Sequence, residues 1–340
     1  MVSNFNCPIC DAHDWQTVKT FHYRQQDALA TNSLPSFSSL RRQILFTLWF
    51  PNTPDVALTA IYCNNCGFMC YTPRPTNEDL QAKYQYLGQR EEIGALHNPS
   101  QRALRLDRKR EQFMYRVITR QYSGISRSVL DVGGGDGRLM RPFLANGYAC
   151  SVVDFNQNPY PGITRLGATL DDLPADARFD ILICSHVLEH VSDPALFLQK
   201  LRSRLAPNGV LYIEVPLEIW KEIPITKDPV THINFFTVSS LKNALLLNGL
   251  HPLEVKYRLA TYGGNYKRVA WALATATEVS PATRPLENAR RTRALLRPGA
   301  YHTLLRKAEN FWIRYVLNLP PKIAAKFKAL RPAKSQPAST

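Results

Sequence analysis

The chain has 340 residues, is 45% hydrophobic and carries a formal charge of +15, so it can bury a large core and has room for two domains or one domain with sizeable additions. Its longest apolar candidate, residues 44–50, is far short of the roughly eighteen residues a membrane helix needs, and the first residues lack the basic-then-apolar pattern of a secretory signal. A cytoplasmic location is the expectation, and the odd count of seven cysteines argues against a disulfide framework.

Four of those cysteines form two pairs, Cys7-Pro-Ile-Cys10 and Cys63-Asn-Asn-Cys66. Thiolates at that spacing on a tight turn can face one Zn²⁺, and two such knuckles complete a closed, structural tetrahedral site with Cys7, Cys10, Cys63 and Cys66 as ligands. Gly67 suits the turn after the second pair. The 52 residues between the pairs exceed what a minimal ribbon needs, so an insertion is expected there. Pro73 and Pro75 then punctuate the entry to a helix, with Asn77 as its expected N-cap and Leu80, Tyr84 and Leu87 at helical spacing. Residues 1–90 therefore read as a zinc-ribbon-like module with an insertion and a connecting helix.

Residues 100–278 read as a second unit. It opens on a basic helix over 101–121, with Leu104, Phe113, Val117 and Ile118 available for burial. From residue 129 onward short β-rich runs alternate with helices, the signature of a mostly parallel α/β sheet. Strands are expected at Ser128–Val132, 150–154, Phe179–Ser185 and 210–215, and helices at 138–146, 193–205 and Val238–Leu247. The runs 253–259 and 268–275 lie close enough to form an antiparallel hairpin at the sheet edge. The short connection 154–162 holds two prolines, so its crossover helix must be shrunken or absent.

Gly133, Gly135 and Gly137 follow the first of these strands and open a helix, a context in which glycine lets the backbone turn and approach a ligand. Asp154, at the end of the next strand, can accept hydrogen bonds from both ribose hydroxyls of an adenosine ligand. Asp131 and Asp136 would repel a pyrophosphate, whereas they suit a ligand bearing an amino group and a sulfonium. That difference favours S-adenosylmethionine over a nicotinamide dinucleotide.

The segment Val129-Leu-Asp-Val-Gly-Gly-Gly-Asp-Gly137 with Asp154 resembles motif I and the acidic motif of class I S-adenosylmethionine-dependent methyltransferases. Residues 179–191 and 205–211 look like their fourth and fifth strands. Glu214-Val-Pro216 and Thr231-His-Ile-Asn-Phe-Phe-Thr237, with the N-terminal cysteine module, are similar to bacterial methyltransferases of glycan and natural-product pathways. The resemblance covers roughly residues 5–90 and 100–275. It implies a Rossmann-like seven-stranded sheet with an antiparallel last strand, Asp131 and the turn from Gly133 to Gly137 at the methionine portion, and Asp154 at the ribose. It also places Thr169 and Leu170 beside the adenine, with a backbone contact from Leu170, and Ser185 and His186 beside the transferred methyl group. His232 matches a histidine that related sugar methyltransferases carry, which gives it the role of catalytic base or acceptor-binding residue; some relatives precede it with a glutamate where this chain has Thr231. His186 and His190 are the alternatives. The acceptor implied is a hydroxyl or amine of a sugar nucleotide, a glycan or a related small molecule, free or lipid-linked.

Residues 281–340 hold 13 Lys/Arg against 2 Asp/Glu, leaving the remainder nearly balanced. This basic helical extension ends in a low-complexity tail. Tyr301, Leu304, Leu305, Ala308, Trp312, Tyr315 and Val316 recur at three- and four-residue spacing. Such a stripe packs on the protein's own core or a dimer partner, or lies on an anionic membrane surface, which would place the protein peripherally on the inner face of the membrane. An RNA methyltransferase is the rival enzyme reading, suggested by the ribbon and the charge; a non-catalytic partner protein keeping the fold is the rival outside enzymes.

Overall fold

The computed structural model describes residues 5–29, 42–88, 100–122, 124–222, 229–276 and 289–319. The sequence expectations for 281–288 and 320–340 lie outside them.

The larger sheet is built on β7 (Phe179–Ser185), whose apolar run is buried along nearly its whole length because both faces are covered. Beside it lie β4 (Ser128–Val132), β5 (Ala149–Val153) and the short, half-exposed edge strand β6 (Thr164–Gly167), all parallel. On the other side come β8 (Leu205–Pro216), parallel to β7, then β11 (Asn265–Ala276), antiparallel to β8, and β10 (Leu250–Tyr262) at the edge. The order β6–β5–β4–β7–β8–β11–β10 is the expected seven-stranded Rossmann-like sheet with its edge hairpin. No helix fills the connection after β5. Instead the Tyr160 amide donates to the Asp136 carbonyl at 2.7 Å, and the amide of Ile163 to the Tyr160 carbonyl at 3.0 Å.

Helices lie where the sequence places them, with local differences. In chain order they are α1 (Asn77–Gly88), α2 (Gln101–Gln121), α3 (Arg141–Ala145), α4 (Pro194–Ser203), α5 (Val238–Leu247), α6 (Arg290–Leu296) and α7 (Ala300–Trp312). Thr76, not Asn77, caps α1: the Thr76 and Asp79 side chains each accept the other's backbone N–H. The expected helix 138–146 begins as a tighter turn over 138–140, because it springs from left-handed Gly137, and only then widens into α3. On α2 the buried stripe runs through Ala103, Leu106, Arg110, Met114, Val117 and Ile118, while Leu104 and Phe113 are half-buried.

The region between the cysteine pairs is a sheet in its own right. β1 (Trp15–Arg24) pairs antiparallel with β2 (Asp55–Cys63) from Trp15↔Cys63 to Arg24↔Asp55, and β2 pairs with β3 (Met69–Thr72). The fourth strand, β9 (Asn234–Phe235), comes from the far end of the chain and pairs Met69↔Phe235 and Cys70↔Asn234. The two sheets therefore share a seam and one core, in which Cys7, Trp15, Cys66 and Phe68 pack with Leu188, Leu198, Phe236 and Leu241.

Asn234 closes that seam. It is 1% exposed, its Nδ2 donates to the Leu188 and Val191 carbonyls at 2.9 and 2.7 Å, and its Oδ1 accepts from Arg74 at 2.8 Å. Asn234→Ala leaves two buried carbonyls and a guanidinium short of partners and is expected to cost about 2–4 kcal/mol in urea unfolding, against about 0.5 or less for exposed Gln157→Ala.

Candidate functional site

At the carboxyl end of β4 the chain turns through Gly133, Gly135 and Gly137, each with positive φ, near +70°. A Cβ on Gly133 would fall 2.5 Å from the Val187 side chain, while one on Gly135 would meet nothing within 4 Å. The first glycine is required by close packing; the second presents bare backbone to open space. Asp154 fixes that turn from β5: its Oδ2 accepts the Gly135 N–H at 2.9 Å and its Oδ1 the Asn156 N–H at 2.8 Å.

Asp131 lies beneath the turn, 1% exposed, with Oδ2 lacking a hydrogen-bond partner. Burial pushes its carboxyl up to about 7 against the pull of Arg110. A buried acceptor oxygen without a donor, beside a glycine cradle, is a fit for a cationic ligand.

Arg110 reaches in from the apolar face of α2 to the tip of β8, 4% exposed, and its Nε and Nη2 sit 3.1 and 3.0 Å from Glu214 Oε1. Ser185, at the tip of β7, accepts from Arg110 and donates to the same Oε1 at 3.1 Å, while Tyr212 donates to Oε2 at 2.8 Å. Burial alone would raise Glu214, but Arg110, His186 and Arg258 outweigh it and hold the carboxyl far below the usual range. His186 follows in a left-handed conformation, φ +61°, its ring stacked on Tyr262 at 4.3 Å. Its Nδ1 lies 3.2 Å from Glu189 Oε1 and its Nε2 3.5 Å from Glu214 Oε1.

Glu189 extends this network toward the seam. It is 1% exposed; burial raises its carboxyl, but the hydrogen bond from His186 and the charges at His190 and His232 bring it down to about 2. His190 donates from Nδ1 to the Thr231 carbonyl at 2.6 Å, and burial holds its ring well below the ordinary imidazole range. His232 packs edge-on against His190 at 4.9 Å, and its Nδ1 lies 2.7 Å from Glu218 Oε2. The loop bearing His232 is held by the N-terminal half: Lys83 Nζ donates to the Val230 carbonyl at 3.2 Å, and Arg74 donates to the Ile233 carbonyl at 3.4 Å. Two groups among the described residues have the donors and spacing to hold a metal ion, the four cysteines and the trio Glu189, His190 and His232.

The structure brings Asp131, Gly133, Gly135, Gly137, Asp154, Ser185 and His186 to one end of the larger sheet, with His232 across the Glu189 network. Thr169 stands at the start of the turn over Leu170–Asp172, its hydroxyl accepting the Asp171 N–H at 3.3 Å. Arg110, Glu218 and Tyr262 escaped the sequence reading. Only Arg110 carried a signal, as a charge set between Leu106 and Met114 in a mainly apolar helical stripe.

The cysteines converge at one end of the β1–β2 pair, Cys7 and Cys10 ahead of β1 and Cys63 and Cys66 at the end of β2. Cys7 Sγ lies 3.6 Å from Cys66 Sγ and Cys10 Sγ 3.5 Å from Cys63 Sγ, too long for disulfides and near the roughly 3.8 Å edge of a tetrahedron with 2.3 Å Zn–S bonds. The residue after each pair, Asp11 and Gly67, has positive φ, so the two knuckles turn alike.

Comparison with known proteins places this arrangement. The family described as a methyltransferase domain matches residues 76–255. A ubiquinone biosynthesis O-methyltransferase of Rickettsia felis (strain ATCC VR-1525 / URRWXCal2) is 29% identical over 134 residues, 36% of this chain and 52% of that protein. The enzyme of the same name from Histophilus somni (strain 2336) is 32% identical over 114 residues, 28% of this chain and 48% of that protein. The chain thus spans about half the length of the curated relatives it matches. Among solved structures, a Burkholderia thailandensis 1,6-didemethyltoxoflavin-N1-methyltransferase with bound S-adenosylhomocysteine is 17% identical with a TM-score of 0.44, covering 65% of this chain and 96% of its own. With the glycine turn and its acids on a seven-stranded sheet, and more than half of the sequence matched, the chain belongs to the methyltransferase-domain family.

Proposed function

We propose that this protein transfers a methyl group from S-adenosylmethionine to a hydroxyl or amine of a sugar nucleotide, a glycan or a related small molecule, free or lipid-linked. The observation that carries the reading is the partnerless Asp131 carboxylate under an open glycine turn, in a pocket where buried acids outnumber buried cations. The donor would supply a sulfonium whose methyl carbon the acceptor's oxygen or nitrogen attacks in line, the C–S bond breaking with its electron pair on the departing thioether. The protein's part is to hold the donor's charge and align the nucleophile, an effect worth on the order of 7–11 kcal/mol in favourable models. Asp131 and the turn face the methionine portion, Asp154 retains lone pairs for the ribose beyond its two backbone bonds, the Leu170 backbone and the Thr169 turn border the adenine, and Ser185 lines the methyl-transfer end.

His232 is the base in this reading. With Nδ1–H given to Glu218, Nε2 is the atom that takes the acceptor's proton, and the Glu218 carboxylate stabilises the imidazolium that forms. Glu218 thus supplies the acid that relatives place at the position of Thr231. His186, wedged between Glu189 and Glu214, positions the acceptor side of the pocket. The four thiolates hold a structural Zn²⁺ that ties the N-terminus to β2, and through β3 and β9 to the His232 loop.

Labelled methyl donor incubated with fractionated glycans, lipids and RNA is expected to mark the glycan or small-molecule fraction; label confined to RNA would overturn the acceptor class. His232→Gln should lower kcat by about 10²–10⁴ without weakening donor binding, and Glu218→Gln by a smaller factor, both measured on the labelled acceptor. A rate abolished by a chelator that leaves zinc in place, and restored by Mg²⁺, would instead make His232 a metal ligand.

Elemental analysis is expected to give one zinc per chain, and Cys10→Ser to lower both zinc content and thermal stability. Because the seam connects the ribbon to the His232 loop, its kcat should fall more than its donor affinity.

A further inference from the structure

The carboxyl-terminal helix α7 is attached the wrong way round for a helix that serves the core. Its inward side is polar. Glu309 receives Arg268 at 2.8 Å and the Tyr257 hydroxyl, Arg268 also donates to Asn310 at 2.6 Å, and Arg306 lies 5.1 Å over the Trp220 ring. Just beyond the helix, Asn318 accepts the Tyr266 N–H at 2.7 Å and donates to the Tyr266 carbonyl at 3.2 Å. Arg102 donates to the Leu317 and Leu319 carbonyls at 2.9 and 2.8 Å. These bonds hold the helix from its middle to just past its carboxyl end and set its rotation.

That rotation turns the apolar stripe to the outside. Tyr301, Leu304, Phe311 and Trp312 are 68%, 66%, 62% and 53% exposed, and Leu305, Tyr315 and Val316 are exposed as well. At about 100° per residue the five of these on α7 span an arc of roughly 120°, opposite Arg306 and Asn310, and Tyr315 and Val316 follow on the wider turn over Ile313–Leu317. A face of seven large apolar side chains rimmed by charge marks a docking surface rather than scattered exposure.

The charge decides what docks. Lys307 and Arg314 flank the arc and are exposed, and Arg290, Arg291, Arg293 and Arg297 of the preceding helix region are exposed too. The sole acidic residue in 289–319 is Glu309, and it is engaged on the inward side. Aromatic side chains among exposed cations suit an anionic bilayer, into whose headgroup boundary an amphipathic helix lays its apolar side. No helix among the described residues is long and apolar enough to cross the membrane, so this would be attachment in the plane of the surface.

We propose that the outward face of α7 docks the protein onto an anionic lipid surface. The attachment is independent of the methyl acceptor. The full chain is expected to co-sediment with phosphatidylcholine vesicles containing phosphatidylglycerol and to be released by raised salt, with at least tenfold weaker sedimentation on phosphatidylcholine alone. The double variant L305E/W312E, changed only at exposed positions, should lose at least tenfold in vesicle binding with its melting temperature unchanged. K307E/R314E should lose binding to anionic vesicles while keeping the apolar face. Equal sedimentation on neutral and anionic vesicles, none on either, or binding that survives L305E/W312E would overturn the proposal. So would a concentration-dependent dimer that L305E/W312E breaks, since a second copy would then be what covers the face.

Discussion

Three carboxylates, Asp131, Glu189 and Glu214, are buried to 1% exposure or less where the central strands of the larger sheet end, and one buried guanidinium, Arg110, stands among them. Removing charges from water is costly unless each is paired, and here pairing is uneven. Glu214 is saturated by Arg110, Ser185 and Tyr212, whereas Glu189, bonded to His186 through one oxygen, and Asp131 each keep an oxygen without a donor. Burial, with Asp154 and Asp136 nearby, raises the pKa of Asp131 against the pull of Arg110. Without a cation, a group raised in this way contributes stability at low pH and loses it as pH rises through about 7. A bound cation would relieve that cost, as the proposed methyl-donor site requires.

The second organising feature is the seam. A strand pair only two residues long, Met69↔Phe235 and Cys70↔Asn234, joins the cysteine-bearing sheet to the loop that presents His232. Arg74 and Lys83 reinforce it from the N-terminal side. The cysteine cluster is therefore connected through β2 and β3 to the proposed base, and the two halves share one core. A structural metal at the N-terminus would govern the position of a side chain more than 160 residues away in sequence.

Much of this was legible in the sequence, for identifiable reasons. β4, β7, α2 and α5 were readable to the residue because each is a long periodic or uniformly apolar segment with clear punctuation, and the glycine turn with Asp154 was readable because its spacing follows from backbone sterics. The β1–β2 pair was obscured: Val56, Leu58 and Ala60 alternate as a half-buried strand should, but the cysteine spacing suggested an insertion of unspecified structure. Glu218 could not be found because its meaning depends on a loop meeting His232 across 14 residues. The α7 stripe was visible, but not its direction, since the outward rotation is set by Arg268, Arg102 and Asn318, and nothing in the helix itself encodes those partners.

The central claim is that Asp131 and the glycine turn form a site for a cationic methyl donor, and calorimetric titration of the full chain with S-adenosylmethionine across pH 5.5–8.5 tests it most directly. One-to-one binding should weaken as pH falls below about 7, by up to tenfold per pH unit, with proton release on binding near neutrality. Asp131→Asn should bind more weakly and lose that pH dependence. No binding of S-adenosylmethionine by well-folded protein, or an affinity that neither pH nor Asp131→Asn alters, would contradict the account.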